Sequence, residues 1–130
     1  HHIGVAVRSL EEALPKWTDG FGLRLESVDE VPTEQVKVAV LKAGATRVEL
    51  LEPTSDDSPI AKFLEKRGPG IHHLAFQVGD CQQKITQLID DGAPLLNAAP
   101  NPGAHGCKVA FLHPKYLGGV LAELVEDPHA

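Results

Sequence analysis

No apolar run in the sequence exceeds about six residues, far short of the roughly 20 that an α-helix needs to cross a bilayer. No signal-peptide pattern stands at the start either, although the chain begins abruptly at His1 and a few native residues are expected before it. A cytoplasmic protein without membrane association is therefore expected, or one of the mitochondrial matrix in an animal source. Positive charge is also scarce. Twelve Lys and Arg face eighteen Asp and Glu, a formal net charge of −6, which argues against the basic surface that nucleic-acid binding needs. The only arginines are Arg8, Arg24, Arg47 and Arg67, so an anionic ligand would have to meet a local cationic patch. Cysteine is limited to Cys81 and Cys107. They lack the CxxC spacing of a zinc site and read as free thiols of a reducing compartment.

The 130 residues, 42% of them hydrophobic and 23% charged, make one ordinary domain with a core of its own. His2–Arg8 alternates and is β-branched, as a strand does. Ser9 is a good N-cap and Glu12 completes a capping box, so a helix is expected through Ala13–Trp17 to about Asp19, with Pro15 awkward beyond the first turn. Gly20 and Gly22 end it. Strands follow at Leu23–Glu30, Val36–Lys42 and Arg47–Glu52, with a turn at Pro32-Thr33-Glu34. A polar loop, Thr54–Pro59, and a short helix, Ile60–Arg67, lead to Gly68-Pro69-Gly70. The order then repeats: a strand Ile71–Val78, a helix Gln82–Asp91 capped by Asp80 with Ile85, Leu88 and Ile89 as its apolar face, a short strand Leu95-Leu96, a loop Asn97–Gly106, and strands Cys107–Leu112 and Val120–Val125. The expected division is a module at 1–53, a linker helix at 54–69 and a second module at 70–130.

The internal repeat is the strongest signal. His2-Ile3-Gly4-Val5-Ala6-Val7 aligns with His73-Leu74-Ala75-Phe76-Gln77-Val78, and Val48-Glu49-Leu50-Leu51-Glu52 aligns with Ala122-Glu123-Leu124-Val125-Glu126. Each pair holds the first and last strand of its module, so two copies of one supersecondary unit are packed together. His2, Glu49, His73 and Glu123 thereby fall at equivalent places in strands of otherwise apolar composition. Taken singly, a strand histidine is usually packed or at the surface and a strand glutamate usually faces solvent; the repeat changes those odds. Two pseudo-symmetric modules can present two imidazoles and two carboxylates to one point. Such a set suits Co²⁺, Ni²⁺, Mn²⁺, Fe²⁺ or Zn²⁺ and leaves two cis octahedral positions for a bidentate substrate. Alternation along the strands turns His1 and His72 to the opposite faces, where each is expected to hydrogen-bond.

The segments HHIGVAV, VELLEP (Val48–Pro53), GIHHLAFQV (Gly70–Val78) and FLHPKYLGGVLAELVE (Phe111–Glu126) resemble the vicinal oxygen chelate superfamily, and within it the methylmalonyl-CoA epimerases. The last is the most specific. The resemblance implies an α+β fold of two paired βαβββ modules forming a curved mixed sheet, a homodimer, an acyl-CoA substrate and one divalent metal, cobalt being the family's favoured ion. It implies ligands at His2, His73 and Glu123, with a fourth at Glu49. It also implies epimerisation by 1,1-proton transfer through a metal-stabilised enolate, with Glu123 as first catalytic base and Glu49 as its mate, Glu34 being a weaker alternative. Several bacterial relatives carry a catalytic glutamate on the third strand, whereas Val36-Lys37-Val38-Ala39-Val40 has no carboxylate. Lys66, with Lys62 and Arg67 beside it, and Lys115 in the HisProLys turn are the cations that a coenzyme A tail would meet, or else solvated surface charge.

Three competing readings share this fold. A glyoxalase I-type lactoylglutathione lyase uses the same four-ligand geometry, but the two free carboxylates of glutathione usually call for arginine. An Fe(II) dioxygenase would use His2, His73 and Glu123 as a facial triad and leave Glu49 without a role. A metal-free small-molecule-binding protein would not need the intact ligand set.

Overall fold

The computed structural model describes every residue from His1 to Ala130, and the chain separates into two compact units, His2–His72 and His73–Ala130 joined by His1. The fold class is α+β, as the sequence predicts.

In the first unit, β1 (His2–Ala6), α1 (Leu10–Pro15), β2 (Arg24–Val31), β3 (Val36–Ala43) and β4 (Thr46–Pro53) form a βαβββ module. Its strand order is β2-β3-β4-β1, with β1 parallel to β4 and the other pairs antiparallel. Alternation divides its residues between two faces. Val5, Val7, Ala39, Leu41, Val48 and Leu50 pack under α1 with Leu10, Leu14 and Trp17. His2, Val38, Val40 and Glu49 belong to the other face, and all four are buried.

Ser9 accepts the Glu12 amide as the N-cap, but α1 is shorter than the residues predict. Pro15 has no N–H to continue the ladder, and the backbone widens into a π-helical turn over Lys16–Gly20, closed by Phe21 N donating to the Lys16 carbonyl at 2.8 Å. Trp17 lies on that turn, packed against the core and edge-on to Phe21 at 6.3 Å. The helix α2 (Pro59–Arg67) follows, with Ile60 and Leu64 buried. Its N-cap Ser58 is fully buried, accepts the Ile60 amide at 3.1 Å and donates to the Glu34 carbonyl at 3.4 Å.

The second unit begins within β5 (Gly70–Gln77), at His73, and continues through α3 (Cys81–Asp90), β6 (Asn101–Pro102), β7 (Lys108–Leu112) and β8 (Ala122–Glu126). β5 runs parallel to β8, β8 antiparallel to β7 and β7 antiparallel to β6, the same order as in the first module. Cys81 and Ile85 of α3 pack on Ala110 and Leu124.

Two readings of this half are corrected. Leu95-Leu96 is no strand: Leu95 makes only an isolated bridge to Leu112. The paired edge lies further on, at Asn101–Pro102, inside the stretch read as loop; an edge strand tolerates the proline that a central one excludes. Ile89, read as part of the apolar face of α3, is 47% exposed, because the helix rests on Cys81, Ile85 and Leu88 instead.

Neither cysteine is in a disulfide, and both are buried. Burial pushes the Cys81 thiol above its ordinary pKa, and the neighbouring Glu126 and Asp80 carboxylates add to the rise. A raised thiol pKa means that the folded state favours the neutral form, so this contribution to stability is intact at neutral pH and lost as pH climbs through and beyond the thiol range. Cys81 is therefore expected to resist iodoacetamide at pH 8 in the native protein and to react once unfolded, as peptide mass mapping would record. Ser58→Ala is expected to cost about 1–2 kcal/mol, the usual loss for an N-cap, read as a lower urea midpoint with an unchanged slope.

Candidate active site

The register of the sheets decides what stands beside each glutamate. In the first unit Gly4 of β1 is the partner of Glu49 on β4. In the second unit Ala75 of β5 is the partner of Glu123 on β8. The pairing is the same in both modules, and in both the residue next to the carboxylate is small. His2 lies two residues before Gly4, and His73 two before Ala75, so each histidine shares the face of its glutamate.

The side chains accordingly meet. His2 Nδ1 stands 3.2 Å from Glu49 Oε2, and His73 Nε2 stands 3.2 Å from Glu123 Oε1. All four residues are buried, at 5% exposure for His2, 8% for Glu49, 5% for His73 and 7% for Glu123. Placing a carboxylate there is expensive unless a cation or donors compensate it. The spacing bears on what the pairs suit. A charge-assisted N–H···O bond closes to about 2.7–2.9 Å. Two ligands about 2.1 Å from one ion and at right angles to each other lie roughly 3.0 Å apart. The observed 3.2 Å is the long end of a hydrogen bond and also close to the spacing of two such ligands, and imidazole nitrogen with carboxylate oxygen is a donor set for a borderline divalent ion. The residues present fit a metal.

The second unit adds an aromatic neighbour. Phe111 of β7 is the register partner of Glu123, and its ring meets His73 edge-on at 5.5 Å, which fixes the imidazole plane. At the corresponding place in the first unit, Val40 is the partner of Glu49. The two histidine–glutamate pairs are alike in their polar groups and unlike in the apolar residue beside them.

A second repeated pair escaped the sequence reading. Glu52 Oε1 accepts the amide of Leu10, the first residue of α1, at 2.8 Å. Glu126 Oε1 accepts the amide of Cys81, the first residue of α3, at 2.8 Å. Each caps a helix end whose amides lack intrahelical partners. The signal was present in the aligned VELLE and AELVE segments, where both glutamates of each segment match.

The remaining expectations are placed as follows. His1 Nε2 meets Asp127 Oδ2 at 2.8 Å, and the His72 ring meets Phe63 edge-on at 5.0 Å. Glu34 lies in the short 3₁₀ turn Pro32–Glu34. Lys66 is in the last turn of α2 and Lys115 in the turn Pro114–Leu117, where His113 Nδ1 accepts its amide. Both lysines are exposed.

The chain is similar to known proteins over most of its length. The model of the glyoxalase/bleomycin resistance protein/dioxygenase superfamily matches residues 1–111. An uncharacterized protein of Bacillus subtilis (strain 168), YqjC, is 39% identical over 96% of this chain and 89% of its own. The ethylmalonyl-CoA/methylmalonyl-CoA epimerase of Cereibacter sphaeroides is 38% identical over 95% of this chain and 94% of its own. Among solved structures, a variant of the Streptomyces coelicolor methylmalonyl-CoA epimerase in complex with 2-nitronate-propionyl-CoA superposes with a TM-score of 0.93 at 34% identity, covering 98% of this chain and 92% of that one. Within the glyoxalase/bleomycin resistance protein/dioxygenase superfamily, the chain belongs to the methylmalonyl-CoA epimerase family.

Proposed function

We propose that the protein is a metal-dependent epimerase of methylmalonyl-CoA in which His2, Glu49, His73 and Glu123 hold one divalent ion. The observation that carries this reading is the repetition, at one register position in two modules, of a buried histidine 3.2 Å from a buried glutamate. The likeness to epimerases over nearly the whole chain supports the substrate class. When bound, the ion supplies Lewis-acid stabilisation of the negative charge that develops on the thioester oxygen.

The protein's own task is to move one proton across a carbon. Inversion needs a base on each side, one to remove the α-proton and one to return it from the opposite face. Glu123 and Glu49 are related by the repeat, so they are suited to approach a substrate from opposite sides. The β3 strand brings no carboxylate to its buried face, where Val38 and Val40 stand, which supports Glu49, the repeat mate of Glu123, over Glu34 as the second base. Phe111 keeps His73 oriented and contributes an apolar wall beside Glu123. Cobalt as the resident ion, a homodimeric state, a cytoplasmic location and contacts from Lys66 and Lys115 to the coenzyme A tail complete the reading.

Solvent deuterium distinguishes the two bases when each epimer is supplied alone. Glu123→Gln is expected to lower α-proton exchange of one epimer by about 10²–10⁴-fold, the usual contribution of general acid–base catalysis. Wild-type exchange in that variant would refute the assignment. Glu49→Gln is expected to spare exchange of that epimer and to suppress exchange of the other, so that inversion fails while one-sided exchange continues. Loss of both exchanges together with bound metal would instead make Glu49 a ligand only. Turnover of the methylglyoxal–glutathione hemithioacetal in preference to methylmalonyl-CoA would favour the lyase reading.

A further inference from the structure

We propose that His1, Cys107 and Asp127 form a second divalent-metal site, for a thiophilic ion of the zinc class, built from none of the residues of the histidine–glutamate pairs. Their ligand atoms lie within 4.8 Å of one another. The side chains of His1 and Asp127 are 5% and 11% exposed, and Cys107 is buried. A thiolate, an imidazole and a carboxylate are the donors of structural and catalytic zinc centres.

The fold brings them together for definite reasons. β7 and β8 pair antiparallel with Lys108 opposite Glu126, so the next rung sets Cys107 opposite Asp127. Cys107 also clusters with Ala75, Val109 and Val125, which places it on the sheet face that carries Glu123. Asp127 follows Glu123 and Val125 at period two and lies about 13 Å along the strand from Glu123. His1 is held to β5 where its backbone nitrogen donates to the Ala75 carbonyl at 2.9 Å, and its ring reaches Asp127. Val125, almost fully buried, separates the two sets of ligands along β8.

Asp127 is already oriented. Its Oδ1 accepts the His129 amide at 2.8 Å, and its Oδ2 meets His1 Nε2 at 2.8 Å. Metal would replace the proton in that second contact: the imidazole N–H moves to Nδ1, the Cys107 thiol proton leaves to solvent, and the ion takes the released lone pairs. Two further imidazoles stand at this end of the unit. His105 precedes Cys107 by two residues and His129 follows Asp127 by two, and their rings meet edge-on at 6.5 Å. His105 holds a left-handed backbone, φ 59°, which a non-glycine residue adopts only when its surroundings impose it. Either ring, or water, would fill the fourth position. The ion would tie His1 to the ends of β7 and β8.

Cobalt separates this site from the proposed active site, because a cobalt–thiolate bond gives a near-ultraviolet charge-transfer band that a nitrogen–oxygen ligand set lacks. Titration of the metal-free full chain with Co²⁺ is expected to produce that band as a second equivalent binds, and added Zn²⁺ to remove it. Cys107→Ser should abolish the band, Cys81→Ser should leave it intact, and Asp127→Asn should weaken the second binding event by about tenfold or more. Circular dichroism checks that each variant is folded, and Asp127→Asn carries the test should Cys107→Ser fail to fold. A folded wild-type chain that shows no thiolate band at saturating Co²⁺, or a band that survives Cys107→Ser, overturns the proposal.

Discussion

A carboxylate on an otherwise apolar sheet face is the constraint that organises each half of this molecule. Glu49 and Glu123 are buried among valines, leucines and alanines, where an unaccompanied charge would cost more than any neighbouring hydrophobic contact returns. What makes the position tolerable is local and repeated: a histidine on the adjacent strand, two residues from a small register partner, at 3.2 Å. Gly4 and Ala75 are small where a larger side chain would fill the space beside the carboxylate. The helix on the far face buries the remaining alternation, which locks the register; a slip of one residue would turn every inward residue outward.

The glutamates three residues further on show how the same strand serves both faces. Glu49 and Glu52 point to opposite sides of β4, and Glu123 and Glu126 do so on β8. One member of each couple faces the histidine, and the other caps the helix at its first amide. A single strand therefore fixes both the polar pair and the element that packs behind it. Errors in strand position would disturb the cap and the pair together, which couples the integrity of the site to that of the module.

Much of this was legible in the sequence because the repeat is carried by the residues under most constraint. Strand period two, the caps at Ser9 and Asp80, and the matched histidines and glutamates all report local chemistry that one chain can display. What the sequence hid was decided by tertiary pairing or by backbone geometry. Asn101–Pro102 pairs with Val109 and Lys108 although neither residue favours strands, and Leu95-Leu96 looks like a strand yet makes only a bridge. The π turn after Pro15 follows from a missing amide, but its extent depends on how Trp17 and Leu23 pack. The coupling of Cys107 to Asp127 arises from one rung of a sheet and leaves no periodic trace. The matched caps were visible in the aligned segments, but their role was not, because it depends on which helix end each strand faces.

The outermost strand marks where the two copies have parted company: eight residues at β2 against two at β6. Trp17, the sole tryptophan, belongs to the fuller copy, seated on the π turn and edge-on to Phe21. Intrinsic indole emission therefore reports directly on the packing of His2–His72. A matching view of the other copy calls for a fluorophore placed within His73–Ala130, which has no tryptophan of its own.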